Sequence, residues 1–340
     1  MEIIPCLPED IGFECLTRLS YTTHRVASRV CHQWRVLLQS KEFYYQRKKE
    51  GKTHKVACLV YSLPSQTGSD GRKQTGSPSP SYGIVVFDPV NDNWVKLNPI
   101  PKYPNGLPLF CQVSSVEGKL VVMGGWDPVS WDPVSHVFVY DFMTQRWTQG
   151  NDMPSKRSFF AASAFDGRVY IAGGHDESKN ALKSAWVYSV REDEWNELTE
   201  LSEERDECQG LIVGNEFWVV SGYGTERQGI FEESVESFEL ETRQWKRVEG
   251  KWSGNRCPRG CVGVSKDGNL MSWADLDSRV RVGACAVDLG DLTFVTGSAY
   301  QGATQGFFLV DVKKGEKKLE QVNVPNEFSG FVQSGCCVEI

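Results

Sequence analysis

Short apolar runs, separated by glycines and polar inserts, recur along most of the chain and predict β-strands. The stretch Val121–Trp147, VVMGGWDPVSWDPVSHVFVYDFMTQRW, contains an apolar run, a double glycine, a polar insert, a second apolar run and a tryptophan. The same order returns in Val169–Trp195 and, with less similarity, in Phe217–Trp245. Three copies of one pattern indicate a repeat architecture in which each repeat is one supersecondary unit.

The spacing of the copies identifies the kind of repeat. Gly124, Gly173 and Gly222 lie 49 residues apart, and the tryptophans Trp94, Trp147, Trp195 and Trp245 lie 53, 48 and 50 apart. A period near 50 residues is typical of one four-stranded blade of a β-propeller. Each apolar run then becomes a strand buried on both faces, and each glycine becomes a turn that a side chain would obstruct. Each tryptophan opens an outer strand and packs between blades.

These segments resemble Kelch repeats, and the resemblance implies a propeller that one chain terminus helps to close. Tyr82–Trp94 has the pattern of the second half of an earlier blade, with Val56–Leu63 as its second strand. That blade has no innermost strand of its own. The C-terminal stretch Gly330–Ile340 matches the inner-strand pattern of Arg157–Gly167. We therefore expect the C-terminal stretch to complete the first blade.

The number of blades depends on the region after the third copy. Cys261–Asp275 and Ala284–Tyr300 both have the pattern of an inner-strand pair, but they lie closer together than one full period. Gly306–Val322 then supplies an outer pair. The sequence predicts a mainly β protein with a six-bladed propeller and a shortened fifth blade, and five blades remain the alternative.

The N-terminal residues have a different, helical pattern. Apolar side chains recur at the helical spacing, at Ile11, Cys15 and Leu19 and then at Val26, Val30, Trp34 and Leu37. Leu7-Pro8 followed by Glu9-Asp10 predicts a helix start, because proline fits the first turn and acids are favourable there. A segment of this size with so much apolar surface is too small to be stable alone. It should fold against a partner.

The order Leu7-Pro8, an apolar helix, Val30-Cys31 and then Trp34 resembles an F-box. The resemblance implies binding to the Skp-type adaptor of a cullin-based ubiquitin ligase. The residues that it assigns to adaptor binding are Leu7, Pro8, Ile11, Leu16, Val26, Val30, Cys31, Trp34 and Leu37. The alternative is a helical cap that belongs to the propeller.

The resulting domain plan is an F-box in residues 1–45, a linker in 46–55 and a Kelch propeller in 56–340. Residues 64–81 are rich in Ser, Gly and Pro and are expected to form a disordered insert.

No apolar run approaches the roughly 18 to 20 residues of a membrane helix. The N-terminus lacks the basic region of a signal peptide, and eleven scattered cysteines favour reduced thiols, so we expect a cytoplasmic or nuclear protein.

Charge and side-chain inventory limit the function classes. The net charge is −7, and residues 1–55 hold ten Lys/Arg against six Asp/Glu, which leaves −11 for the rest. An acidic body argues against nucleic acid as the main ligand. Kelch propellers also include copper oxidases, but the isolated histidines here offer no converging ligand set. We expect a non-catalytic protein without cofactor or metal. A Kelch scaffold without ubiquitin function is the third class considered.

A narrower resemblance concerns the target. The segments GLPLFCQV, GGWDPVSW, RSFFAASA, GGHDESKNAL, ERDEC and GFVQSGCCVEI are similar to the plant F-box/Kelch subgroup associated with phenylalanine ammonia-lyase turnover. The same subgroup, named KISS ME DEADLY, is associated with removal of type-B response regulators of cytokinin signalling. The resemblance implies these proteins as targets.

Target contact is expected in the loops, because propeller strands pack while loops recognise partners. The inserts after the double glycines differ most between copies, and the turns entering the inner strands lie beside them. Trp and Arg are enriched at energetic hot spots. The predicted target-binding residues are Trp126, Asp127, Trp131, Arg157, His175, Asp176, Arg205 and Tyr223. For Arg157 and Arg205 the alternative is a structural role, bonding loop carbonyls around the channel.

Overall fold

The computed structural model describes residues 3–63, 81–252, 256–265, 267–311 and 318–340. Of the insert predicted to be disordered, only Ser81 is among these residues, so that prediction falls outside the described part of the chain. The described chain forms an N-terminal helical domain and a ring of β-sheets. No helix in these ranges is long and apolar enough to span a membrane.

Four helices form the N-terminal helical domain, α1 (Glu9–Thr17), α2 (Tyr21–Ala27), α3 (His32–Leu38) and α4 (Lys41–Lys49). Helix α1 begins after Pro8 with Glu9 and Asp10 in its first turn, as expected. The Ser40 hydroxyl caps α4 by accepting a hydrogen bond from the amide of Phe43 at 3.2 Å. Because α4 continues to Lys49, the first four residues of the predicted linker are helical.

In the described residues, the propeller contains five four-stranded antiparallel sheets. The first blade contributes β1 (Lys55–Ser62), β2 (Tyr82–Asp88) and β3 (Asn93–Lys96). The second contains β4 (Gln112–Val116), β5 (Lys119–Met123), β6 (Val137–Asp141) and β7 (Arg146–Gly150), and the third contains β8 (Ala161–Phe165), β9 (Arg168–Ala172), β10 (Ala185–Ser189) and β11 (Glu194–Leu198). The fourth contains β12 (Gln209–Val213), β13 (Glu216–Val220), β14 (Val235–Glu239) and β15 (Gln244–Val248).

A two-stranded sheet follows the fourth blade and takes the place of the predicted short blade. It consists of β16 (Val262–Val264) and β17 (Leu270–Ser272), and among the described residues no third strand pairs with β17. Gly260 lies just before β16, accepting a hydrogen bond from the amide of Ala286 in the last blade and donating one to the Gln209 side chain in the fourth. The short sheet therefore lies between these two blades.

The last blade contains β18 (Val282–Asp288), β19 (Leu292–Ser298), β20 (Gly306–Asp311) and β21 (Leu319–Gln321). The C-terminal strand β22 (Val332–Glu339) then pairs antiparallel with β1 over the register Lys55↔Glu339 to Tyr61↔Val332. It is the innermost strand of the first blade and contacts both β18 and β4. The expected closure by the C-terminal stretch is confirmed.

The repeated tryptophans connect neighbouring blades. The indole of Trp147 donates a hydrogen bond to the carbonyl of Asn98, which follows the preceding blade, at 2.8 Å. The indole of Trp94 makes the equivalent bond to Asn323, after the last blade, at 3.2 Å. Trp195 and Trp245 repeat this contact with Asn151 and Thr199. The tryptophan period seen in the sequence is thus the period of the contacts between blades.

The double glycines are required by close backbone contacts. Gly173 has a φ of 69°, and a Cβ atom there would lie 2.4 Å from the carbonyl oxygen of Arg205. Gly124 has a φ of 59°, and its Cβ would lie 2.7 Å from the carbonyl oxygen of Arg157. A side chain at either position would therefore push away the turn that enters the next inner strand.

The helical domain packs against one end of the propeller through exchanged apolar side chains. Tyr21 of α2 packs in the propeller core with Val338 and Ile340. Met143, from the β6–β7 turn, packs in the core of the helical domain with Leu16 and Phe43. All six of these side chains are buried.

Polar contacts at the same interface centre on the end of β22. Glu339 accepts hydrogen bonds from Thr53 at 2.7 Å and Tyr44 at 3.3 Å and pairs with Lys48 at 2.9 Å. The backbones of His54 and Ile340 exchange two hydrogen bonds, 2.9 and 3.0 Å long. The strand that closes the ring therefore also holds the helical domain.

Deleting Gly330–Ile340 should strip the first blade of its inner strand and remove the partners of Lys48, Thr53 and His54. The exposed edge of β1 is a template for pairing with other chains. We expect aggregation or a large fall in melting temperature, measured by differential scanning fluorimetry and light scattering. A soluble truncated protein with unchanged melting temperature would contradict this role of β22.

Candidate functional site

The polar inserts lie at the end of the propeller opposite the helical domain. The β4–β5 turn is at the helical end, where Tyr45 donates a hydrogen bond to Glu117 at 2.6 Å. Because consecutive strands are antiparallel, the loops β5–β6, β9–β10 and β13–β14 lie at the other end. We call this end the loop face. It carries all three inserts that the sequence analysis singled out.

A cavity of about 240 Å³ opens on the loop face. Four predicted target-binding residues, Trp126, Trp131, His175 and Tyr223, lie in its lining. The other six lining residues were not predicted from the sequence; they are Phe110, Phe159, Lys179, Asp206, Glu207 and Gln228. We call it the aromatic cavity, because six of its ten lining residues carry an aromatic ring.

Stacked rings separate the aromatic cavity from the central channel. The Phe110 and Phe159 centroids lie 4.4 Å apart with an angle of 29° between the planes. The Arg259 guanidinium lies 4.2 Å from the Phe159 centroid and 5.6 Å from that of Phe110. Phe110 and Arg259 also line the channel below, a space of about 250 Å³. A protein docked on the loop face would meet these rings before the channel.

The backbone at this site is unusual for large side chains. Phe110, Phe159 and Trp131 have φ values of 58°, 57° and 62°, in the left-handed region that bulky residues rarely adopt. Lys179 and Glu207, at 62° and 50°, share this conformation. Strain of this kind persists only where the surrounding structure fixes it, and it is concentrated at functional sites. Its presence at five of the ten lining residues favours a role for the cavity.

A buried histidine–carboxylate pair lies in the lining. His175, 5% exposed, places Nδ1 2.9 Å from both Asp206 carboxylate oxygens. Nδ1 is therefore the donor, since a carboxylate only accepts. Among the described residues His175 Nε2 has no hydrogen-bond partner, and the same holds for Trp126 Nε1. Burial, together with the charges of Asp206 and Glu207, raises the pKa of Tyr223 above its ordinary value.

The predicted residues Asp127 and Asp176 hold their own loops. The Asp127 carboxylate accepts hydrogen bonds from the amides of Val129 and Ser130, and that of Asp176 accepts from the amides of Ser178 and Asn180. These are turns that aspartate forms with its own backbone two to four residues on. Both side chains are partly exposed but do not line the aromatic cavity.

Arg157 and Arg205 have the structural role that was the alternative prediction, because both bond carbonyl groups of the loops. Arg157 is fully buried and donates to the carbonyls of Gly173 and Ser184, and burial lowers its pKa to about 10. Arg205, 1% exposed, donates to the carbonyl of Ser221 at 2.9 Å and pairs with buried Glu236 at 3.0 Å. The expectation of target contact was wrong for the conformation seen here, because both guanidinium groups are used to hold the insert loops.

The repeat spacing could have identified three of the cavity-lining residues that were not predicted from the sequence. Phe110, Phe159 and Glu207 occupy equivalent positions just before the inner strands, 49 and 48 residues apart. Each has a positive φ, and each lies in the aromatic cavity. Applying the period to polar and aromatic turn residues, as well as to glycines and tryptophans, would have placed these three side chains together.

The residues predicted to bind the adaptor divide into exposed and buried sets. Ile11, Val26 and Val30 are 46, 67 and 63% exposed, and Pro8 and Cys31 are also exposed. Leu16 is 2% exposed and belongs to the core of the helical domain. Leu7, Trp34 and Leu37 are half-buried.

Two of these residues therefore have structural roles. Leu16 is not available for adaptor contact, which corrects its assignment to the binding surface. Trp34 donates from Nε1 to the carbonyl of Ile3 at 2.7 Å and packs against the core of the helical domain. Among the residues predicted to bind the adaptor, Ile11, Val26 and Val30 are thus the exposed aliphatic side chains.

The helical domain thus carries exposed apolar side chains at one end of the molecule, and the aromatic cavity opens at the other end. Among the described residues, no group of three or more His, Cys, Asp or Glu side chains could hold a metal ion.

Comparisons with known proteins identify the family. The F-box domain family matches residues 4–46, and the KLHDC2/KLHL20/DRC7 Kelch-repeats domain family matches residues 68–269. The F-box/kelch-repeat proteins At1g80440 and At1g15670 of Arabidopsis thaliana are each 35% identical over the full length of both chains. F-box/kelch-repeat protein SKIP20 of the same plant is 36% identical, over 76% of this chain and 69% of its own.

The chain belongs to the F-box/Kelch-repeat protein family of plants. The helical domain is its F-box, and the ring of sheets is its Kelch propeller. This combination is that of a substrate-recognition subunit of a Skp–cullin–F-box ubiquitin ligase, in which the F-box binds the Skp adaptor and the Kelch propeller binds a protein target.

Replacing Arg157 with Ala should destabilise the propeller rather than selectively weaken target binding. Buried carbonyl and hydroxyl groups of the third blade would lose their donor, at about 1–3 kcal/mol for each group left unpaired. We expect the free energy of unfolding in urea to fall by at least about 2 kcal/mol. Lys156→Ala is the matched control, because Lys156 is exposed. Unchanged stability of Arg157→Ala with loss of target capture would restore the contact hypothesis.

Proposed function

We propose that this chain is a non-catalytic target receptor that works in the cytoplasm or the nucleus, binding the adaptor through Ile11, Val26 and Val30 and the target through the loop face. The observation that carries the proposal is the placement of these two surfaces at opposite ends of one packed unit. The F-box surface is apolar and solvent-exposed although the F-box core is complete without it. Exposed apolar groups clustered on a small domain favour a protein partner.

The contribution to ubiquitin transfer is positional. Tyr21 of the F-box packs in the propeller core, Met143 of the propeller packs in the F-box core, and the polar contacts of Glu339 also join the two parts. A target held on the loop face is therefore carried at a fixed orientation relative to the adaptor. The gain in rate comes from the raised effective concentration of target lysines near the conjugating enzyme, without side-chain chemistry by this chain.

The proposed target is phenylalanine ammonia-lyase, so the receptor would lower phenylpropanoid metabolism. Support comes from the resemblance of six segments to the subgroup associated with that enzyme. Five of the six, all except GFVQSGCCVEI, contain residues of the aromatic cavity, namely Phe110, Trp126, Trp131, Phe159, His175, Lys179, Asp206 and Glu207. Type-B response regulators are the alternative targets for the same ligase role.

Adaptor binding is tested with Val26→Glu combined with Val30→Glu. A charge on each exposed valine should abolish apolar contact while the F-box core stays intact. We expect affinity for a purified Skp-type adaptor, measured by surface plasmon resonance, to fall roughly 30-fold or more, as for loss of an interface hot spot. Val129→Glu, at an 88% exposed valine on the loop face, is the matched control. If the double variant binds the adaptor as tightly as the wild-type protein, the proposed adaptor surface is wrong. The alternative, a Kelch scaffold without ligase function, would then be favoured.

Target binding is tested with Trp131→Ala. Trp131 is 48% exposed, so its loss should leave the fold intact while removing an aromatic contact. We expect capture of phenylalanine ammonia-lyase to weaken roughly tenfold or more. Tyr300→Ala is the matched control, because Tyr300 is 68% exposed, follows β19 on the loop face and lies outside the cavity.

Two outcomes distinguish an error in the identity of the target from an error in the location of its binding site. A wild-type protein that captures a type-B response regulator but not the lyase would replace the target and keep the receptor role. If Trp131→Ala captures the lyase as strongly as the wild-type protein, the target binds at a surface other than the aromatic cavity. Adaptor affinity, measured on the same samples, should be unchanged because the two faces are at opposite ends.

A further inference from the structure

We propose that the aromatic cavity accepts one uncharged aromatic side chain of the target protein. The inference rests on the proposed function, in that it takes the loop face as the target-binding surface. The volume of about 240 Å³ is below the roughly 300–1,000 Å³ of pockets for drug-sized ligands. A space of this size suits a single side chain better than a cofactor.

The walls favour an aromatic occupant. Trp126, Trp131, Phe159 and Tyr223 surround the space, and rings in proteins gain energy from offset or edge-to-face contact beyond the area they bury. Trp131 is half-exposed and takes part in no ring pair among the described residues within the reach of those contacts, whereas Trp126 already packs edge-to-face on His175 at 5.6 Å. Trp131 therefore offers a free aromatic surface at the rim.

A positively charged occupant is disfavoured by the chain's own cations. Lys179 Nζ lies 5.7 Å from the centroid of Trp126, and Arg259 covers Phe159 at 4.2 Å. The faces of Trp126 and Phe159 are thus already occupied by cations, and a further positive charge beside them would be repelled. The two carboxylates of the lining are also engaged, Asp206 with His175 and Glu207 with Arg259.

A negatively charged occupant is disfavoured by those same carboxylates. Asp206 is 3% exposed and Glu207 is partly buried, and both lie in the lining. Bringing a third carboxylate beside them would place like charges together in a partly buried site, where their repulsion is less screened than in water. Because the cations beside the rings disfavour a positive occupant and the lining carboxylates disfavour a negative one, the remaining selectivity is for an uncharged ring.

The local backbone fixes the shape of the cavity before a target binds. Phe110, Phe159 and Trp131 hold left-handed φ values, and the stacked pair of phenylalanines is covered by Arg259. A preformed pocket saves the ordering cost that a flexible loop surface would incur on binding. This is the behaviour of an anchor site, in which one buried side chain of the partner supplies much of the affinity.

The test uses amino-acid amides as probes of the full-length protein. N-acetyl-tyrosine amide is titrated and its contact with the protein is measured by saturation-transfer NMR. N-acetyl-leucine, N-acetyl-lysine and N-acetyl-glutamate amides are compared under the same conditions. We expect a dissociation constant on the order of 1 mM for the tyrosine amide, as for one small ligand, and at least fivefold weaker binding of the other three.

The variants locate the binding. Trp131→Ala should reduce the tyrosine amide signal at least fivefold, and Val129→Ala, two residues earlier in the same insert, should leave it unchanged. Melting temperatures show that both variants are folded. Equal binding of the leucine, lysine or glutamate amide, no binding of the tyrosine amide, or a signal that Trp131→Ala does not alter would overturn the proposal. Neither adaptor nor target is present in this experiment, so a negative result does not contradict the ligase role. That role is tested separately by the measurement of adaptor binding.

Discussion

The pairing of β22 with β1 is the interaction on which the rest of the structure depends. It joins the two ends of the propeller chain, so that β22 lies between β18 and β4 and closes the ring. The same strand ends at Glu339 and Ile340, which hold the F-box through Lys48, Thr53 and His54. The strand that closes the ring therefore also contributes the polar contacts that hold the F-box.

Much of the fold could be predicted because its constraints are local and repeated. The tryptophan and glycine periods report a contact made once in each blade, so three copies were enough to place the strands. Closure could be predicted because β22 repeats the inner-strand pattern of β8. The end of α4 was missed by assigning a linker to residues 46–55, although the Ser40 cap and the three basic residues in its last turn are helix signals.

The site was less predictable because residue type does not decide burial. Trp126 and Arg157 both belong to types enriched at interfaces, yet one lines a cavity and the other is buried among carbonyls of the third blade. Those carbonyls are 16 and 27 residues further along the chain, so Arg157 finds its partners only after the blade has folded. The repeat spacing could have grouped Phe110 with Phe159, but it does not predict the left-handed backbone conformation that both residues adopt.

Antiparallel blades explain how one end of this protein can change while the other is kept. Each strand crosses from the F-box end to the loop face, a distance of roughly 17 Å for five residues. The buried arginines bond backbone carbonyls as well as serine hydroxyls, so they can hold insert loops of different sequence in the same place. Substitutions at the exposed positions of those loops alter the surface shown to a target without reaching Glu339 or Met143. The scaffold therefore permits target specificity to diverge independently of adaptor binding.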